Sequence, residues 1–320
     1  MTAEPLRTAE FDRFGPWVDQ VEVLDDLPPL YRDHPFDLAA ARLVLKVPRN
    51  IARRDARPDM DLYDHLLILE EDRLTVLSRH ARADARDGSN AASRGYGARV
   101  IPLGDVLAVW DTVDLLAGQL SVVVRGQAPV EVPFNGSARK QIDRLVMEIV
   151  DCTASASIRG AGGRLLAAPT GGTPAAIREA LMLDKGVVAD YAESAAHRER
   201  LEVLAWHPRQ PLEPIGVGIE GALRRLSHAI LPATLQAAVI ARTPSTLEVF
   251  TRHEWILRRK KPVHSSTHLI VPLAAIDSMR ATPHPGYART VDVTLAARGA
   301  AVVLSMPQDG PTYRALSVAL

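Results

Sequence analysis

One cysteine, Cys152, occurs in 320 residues. An intramolecular disulfide is therefore excluded, as is any Cys-x-x-Cys pair for zinc or redox chemistry. Beside Ile149 and Val150 it reads as a packed thiol, because a nucleophile needs a depressed pKa. Long apolar runs are also missing: no stretch of about 18 uncharged hydrophobic residues is found. The N-terminal region carries Glu4, Glu10, Asp12, Asp19, Glu22, Asp25 and Asp26, the wrong chemistry for a signal peptide. The expectation is a cytoplasmic protein. Net charge is absent too, with 38 basic residues against 38 acidic ones. No global field draws the chain to nucleic acid or to an anionic membrane, so recognition of charge has to be local. Lysine is confined to Lys46, Lys140, Lys185, Lys260 and Lys261, leaving arginine as the main cation.

What the chain does have is 47% hydrophobic residues, enough for two modest cores, and a diverged internal repeat. Val100-Ile101-Pro102-Leu103-Gly104-Asp105-Val106 recurs as Ile270-Val271-Pro272-Leu273-Ala274-Ala275-Ile276. Around the first copy, apolar and β-branched runs predict strands at Leu66–Leu69, Leu74–Arg79, Val100–Leu103 and Val106–Trp110. A hairpin, Leu120–Val124 with Val130–Phe134, turns at Arg125-Gly126. Ser137 is placed as N-cap of a helix whose stripe is Ile142, Leu145, Val146 and Ile149.

The second copy repeats the order, with strands at Leu247–Phe250, Trp255–Arg259, His268–Leu273, Ile276–Ala281, Thr290–Ala296 and Ala301–Ser305. A further strand, Leu235–Ala241, precedes them, and a helix opened by Pro311 follows. Leu77 is matched with Leu257, Leu103 with Leu273, Arg125-Gly126 with Arg298-Gly299, and Ile142 with Tyr313. The long Arg79–Gly97 loop is assigned to copy one alone.

These strands, the Ile/Val-Pro-Leu-x-x-Ile/Val segment, the Arg-Gly hairpin and the closing helix resemble the bacterial pleckstrin-homology-like (PH-like) family, present in tandem. The resemblance covers about Asp61–Cys152 and Leu235–Leu320. It implies an α+β, mainly β fold: two partly open β-barrels, each capped by a C-terminal helix. It carries over no catalytic residue, since that fold is usually a binding or assembly scaffold.

The expected domains are an N-terminal segment 1–60, PH-like domain one at 61–152, a linker and helical insert at 153–234, and PH-like domain two at 235–320. In the N-terminal segment, Phe36–Val47 reads as helix, or Leu43–Val47 as an edge strand corresponding to Leu235–Ala241. The Gly- and Ala-rich Thr153–Thr173 reads as a flexible joint, followed by helices from Thr173-Pro174 to Leu183, over Val188–Ala205 and over Ile215–Ile230.

Candidate chemistry is sparse. Arg258, Arg259, Lys260 and Lys261 end a strand, and Arg79, His80 and Arg82 stand at the matched edge of copy one. Their forks suit phosphate or carboxylate, while the alternative is a solvated, charge-protected hairpin. His264 and His268 lie about 13 Å apart on an extended strand, too far to share a metal. Gly171-Gly172 before Thr173-Pro174 lacks the lysine of a phosphate-binding loop. Asp105, Asp111 and Asp114 read as solvated acids, and Trp110, Trp206 and Trp255 as core or interface anchors.

The function expected is a non-catalytic binding or assembly module without cofactor or metal. Its contact surfaces are Arg79–Gly97, Arg258–Ser266 and Pro283–Ala288. A protein or peptide is the first partner class, with homo-oligomerisation and anionic lipid behind it. The alternatives are peripheral membrane attachment through the basic edge of copy two, or a hydrolase or nucleotide-binding enzyme built around the insert.

Overall fold

The computed structural model describes residues 9–80, 95–153, 157–170, 184–198, 200–216, 226–258 and 264–320. The fold is α+β and mainly β: four antiparallel sheets with few helices, none of the sheets closing into a barrel among the described residues. The chain divides into two compact units. The first is Met1–Asp105 with Leu116–Leu120 and Glu131–Thr153; the second is Val106–Leu115 with Ser121–Val130 and Ala154–Leu320.

The first unit opens with a short helix α1 (Ala9–Arg13) and strand β1 (Asp19–Gln20). Next come β2 (Leu43–Pro48), β3 (Tyr63–Leu69), β4 (Arg73–Arg79) and β5 (Tyr96–Pro102), paired in the order β1-β2-β3-β4-β5. The Leu43–Val47 segment is thus a strand, but an internal one between β1 and β3 and not an edge. Alternation of side chains along the strands sends Val44, Leu66, Ile68 and Leu77 to one face. There they are covered by Phe14, Val21, Leu27 and Tyr31 from the N-terminal segment. Each such fully buried aliphatic or aromatic side chain contributes about 1.5–3 kcal/mol.

After β5 the motif Leu103–Asp105 makes a 3-10 turn, followed by β6 (Val106–Asp114), β7 (Ala117–Val124) and β8 (Val130–Asn135). Helix α2 (Arg139–Thr153) closes the copy and buries Ile142, Leu145, Val146 and Ile149 as its spacing predicts. The cap differs from expectation. Asn135, two residues before Ser137, accepts from both the Ser137 backbone N–H and its hydroxyl, because the chain enters α2 through a 3-10 turn at Gly136–Ala138.

The part of the second unit that follows α2 starts with helices α3 (Gly160–Ala167) and α4 (Lys185–His197). Next come β9 (Glu202–His207), β10 (Gln210–Pro211), β11 (Ala233–Leu235), β12 (Ala238–Arg242), β13 (Thr246–Thr251), β14 (Ile256–Arg258) and β15 (Ser265–Pro272). The 3-10 turn Leu273–Ala275 then leads to β16 (Ser278–Pro283), β17 (Thr290–Ala297), β18 (Ala300–Pro307) and helix α5 (Pro311–Ser317).

Strand register shows how deep the repeat runs. On β4 and β5, Arg73 faces Pro102 and Leu77 faces Ala98. On β13 and β15, Thr246 faces Pro272 and Phe250 faces His268. Leu77 therefore corresponds to Phe250, and the match with Leu257 is corrected: Leu257 lies on β14, which pairs with β11. Both apolar runs end in arginine, and that likeness hides the difference because only long-range pairing sets register. One strand further out, Leu69 faces Leu74 and Arg242 faces Leu247. Beyond that, Leu43 faces Leu69 and Glu202 faces Arg242. Strands β2, β3, β4 and β5 thus correspond to β9, β12, β13 and β15, and β6, β7, β8 and α2 to β16, β17, β18 and α5. Equivalent backbone bonds pin the motif in each copy, from Leu103 N–H to the Asp72 carbonyl and from Leu273 N–H to the Ser245 carbonyl, both 2.8 Å.

Several other expectations change with this assignment. The helix placed over Val188–Ala205 stops at His197, and Glu202–His207 is strand β9, because β12 needs a partner on its outer side. Leu235–Ala241 is two strands broken at Gln236-Ala237. The expected joint Thr153–Thr173 contains α3, whose Gly162 lies against the Leu273 carbonyl so closely that an added Cβ would sit 2.0 Å from it. The position of the copy-one loop Arg79–Gly97 is occupied in copy two by β14 and its flanks. The helix expected from Thr173 to Leu183, and most of the Arg79–Gly97 loop, fall outside the described residues.

Candidate functional site

Copy two carries segments that the shared repeat lacks, and these segments build a cavity of about 410 Å³. Pro214, Ser227, His228 and Leu231 come from the stretch between β9 and β12. Arg258 ends β14, and His284, Pro285, Gly286 and Tyr287 form the connection from β16 to β17. In copy one the matching connection is only Leu115-Leu116.

Local chemistry explains how the cavity is held. Two prolines and a glycine bend 283–286, and the loop is tied back by His284 N–H to the Thr290 carbonyl. Residues 213–215 run antiparallel to 286–288, with bonds of 2.9 Å from Ala288 N–H to the Glu213 carbonyl and 3.0 Å from Ile215 N–H to the Gly286 carbonyl. Tyr287 is buried with Leu212, Ala233 and Leu235 as its apolar seat. Arg258 Nε donates to the Tyr287 hydroxyl at 2.9 Å. The His284 and His228 rings lie 5.0 and 6.5 Å from the Tyr287 ring. Gly286 N–H donates to His284 Nδ1 at 2.9 Å, and Ala233 N–H points to His228 Nδ1 at 3.4 Å.

The six candidate cations fare differently. Arg258 lines the cavity. Arg79, in the first unit, is engaged by Asp64, its Nη2 lying 2.7 Å and its Nε 2.8 Å from the carboxylate. Arg82, Arg259, Lys260 and Lys261 lie outside the described residues. His228, His284 and Tyr287 carry no signal of a site in the sequence, although Pro283–Ala288 is an expected contact loop. Isolated histidines give no spacing signal, and only the fold brings them to Arg258.

A second polar cluster is internal. Period-two alternation on β13 turns Leu247 and Val249 to the main core, and Glu248 and Phe250 to the face under α4. Glu248 is fully buried, so its charge has to be paired. It accepts from Thr246 Oγ1 at 2.8 Å, from Arg198 Nη1, and from His268 Nε2 at 2.9 Å. Burial pushes this carboxyl up, but His268 and Arg198 outweigh it and hold the group below its ordinary range. Phe250 stacks on the His268 ring at 4.3 Å. Asp111 sits opposite His268 across the β6–β15 ladder and is fully buried, which corrects its reading as a solvated acid. His268 is thus committed to Glu248. Ser265 accepts from the His253 backbone N–H and Ser266 donates to Asp190.

Among the described residues no group of three or more His, Cys, Asp or Glu side chains is placed to hold a metal. No described helix is long and apolar enough to cross a membrane. Cys152 is half-buried, and burial pushes its thiol pKa up, away from thiolate chemistry. No protein family model, curated protein or solved structure matches this chain.

Proposed function

We propose that this chain is a tandem of two PH-like domains acting as a non-catalytic binding module, with recognition concentrated in the second. One observation carries the reading: the cavity at Arg258 and Tyr287 is made wholly of segments that copy two adds to the strand-and-helix frame it shares with copy one. Function grafted onto a repeated scaffold in its variable connections is how binding folds diversify. Twice, a four-strand layer leads through a Pro-Leu turn to a three-strand meander and a closing helix, which supports the PH-like assignment.

Native mass spectrometry of the purified chain beside its denatured mass tests this. The expected result is added mass that denaturation releases unchanged and that Arg258→Gln removes. A bound compound recovered chemically converted would sink the non-catalytic reading. Added mass indifferent to Arg258→Gln would move recognition away from the cavity. A complex at an integer multiple of the chain mass, with no other ligand, would place self-assembly ahead.

A further inference from the structure

Resting on that reading, the geometry points to an oxyanion, a phosphate or carboxylate group carried on a small apolar body, as the ligand of the copy-two cavity. A backbone N–H donates to Nδ1 of His284 and another is directed at Nδ1 of His228. A nitrogen that accepts carries no hydrogen, so each neutral ring keeps its hydrogen on Nε2 and each imidazole offers a donor. Arg258 adds a permanently charged planar fork. Only its Nε is used, on Tyr287, and among the described residues no carboxylate pairs with it. Among the described residues, the charged and imidazole groups of the lining are therefore donors, and none of them is an acid.

Contrast sharpens this. A neighbouring cavity of about 320 Å³ holds Glu213 and Asp309 beside Arg289, and there the arginine lies 3.8 Å from Asp309. Among the described residues the Arg258 cavity has no such internal counter-charge. Of its remaining described walls, Pro214, Leu231, Pro285 and the Tyr287 ring are apolar, and Ser227 adds a hydroxyl. A volume of about 410 Å³ falls within the range of small-molecule sites. An arginine fork with two N–H donors against an apolar wall matches an oxyanion on a hydrocarbon or aromatic body.

The full chain, labelled with ¹⁵N, is titrated with phenyl phosphate, phenylacetate and neutral phenylacetamide while the imidazole nitrogens of His228 and His284 are followed by NMR. The free protein should show both rings with hydrogen on Nε2. Phenyl phosphate, phenylacetate or both should shift the Nε2 signals, the responding probe telling phosphate from carboxylate, and phenylacetamide should not. Arg258→Gln should weaken binding about tenfold or more, and Arg258→Lys, which keeps charge but loses the fork, should weaken it less. Arg258 is exposed, so both variants should keep the fold. Rings with hydrogen on Nδ1, no shift with either anion, or equal binding of phenylacetamide would each overturn the oxyanion assignment. The last of these would leave the binding-module reading standing.

Discussion

Two copies of one frame differ most where a polar group is buried. In copy one the first-layer strands carry Val47, Thr75 and Ala98; at the corresponding register positions copy two carries His207, Glu248 and His268. Each outer face is covered by the chain that precedes its copy, the N-terminal segment over one and α4 over the other. The copies differ as well in their cavities. The first unit has one of about 160 Å³ among Pro28, Pro29, Asp59, Asp61 and Tyr63, small and acidic where the copy-two cavity is larger and donor-rich. The frame tolerates both versions because strand pairing and the apolar inner face define it, while the outer face and connections are free to change.

Exchanging residues between the copies is the strongest way to break this comparison. Glu248→Thr, which installs the residue of copy one, leaves Arg198 and His268 without their acceptor and should cost about 3–5 kcal/mol by urea unfolding. Adding His268→Ala should cost much less than its effect alone, because the two act as one network. Additive losses would show that the cluster is not a unit.

The next effect is pH. His207 is buried, its Nε2–H donating to the Gln236 carbonyl at 3.1 Å and its Nδ1 accepting from Thr312 at 2.9 Å. Burial lowers its pKa from 6.5 to about 4. The unfolded chain then binds the proton more readily than the folded one. Stability from this group is complete above pH about 6.5 and is lost as pH falls toward about 4, a drop of about 3 kcal/mol. His207→Val, the residue of copy one, should flatten that part of the stability curve even though the variant is less stable at pH 7. An unchanged slope would remove His207 as its source.

The smallest effect tests what the copies share. Gly126 and Gly299 both adopt positive φ, 65° and 80°, at their Arg-Gly hairpins. Replacing either by alanine should cost about 1 kcal/mol. A large difference between the two would mean that the hairpins are not equivalent.

Much of this frame was legible in local sequence. The Pro-Leu motif, the Arg-Gly turns, the apolar stripe of α2 and the Pro311 start of α5 depend on steric and periodic rules that act within a few residues. Strands β3, β4, β17 and β18 fall within a few residues of their expected ends for the same reason. Glu248 is hidden inside an apolar run, since alternation tells which face a residue takes but not what waits there. Arg258 was legible as a strand-end cation, yet His228 and His284 lie far from it in sequence. By itself the sequence determined the repeat, the mainly β class and the turns, because those follow from the local backbone and side-chain period. The register that makes Leu77 the counterpart of Phe250, the burial of Glu248 and Asp111, and the meeting of Arg258, His228, His284 and Tyr287 were decided only by tertiary structure, because each requires segments distant in the chain to be brought side by side.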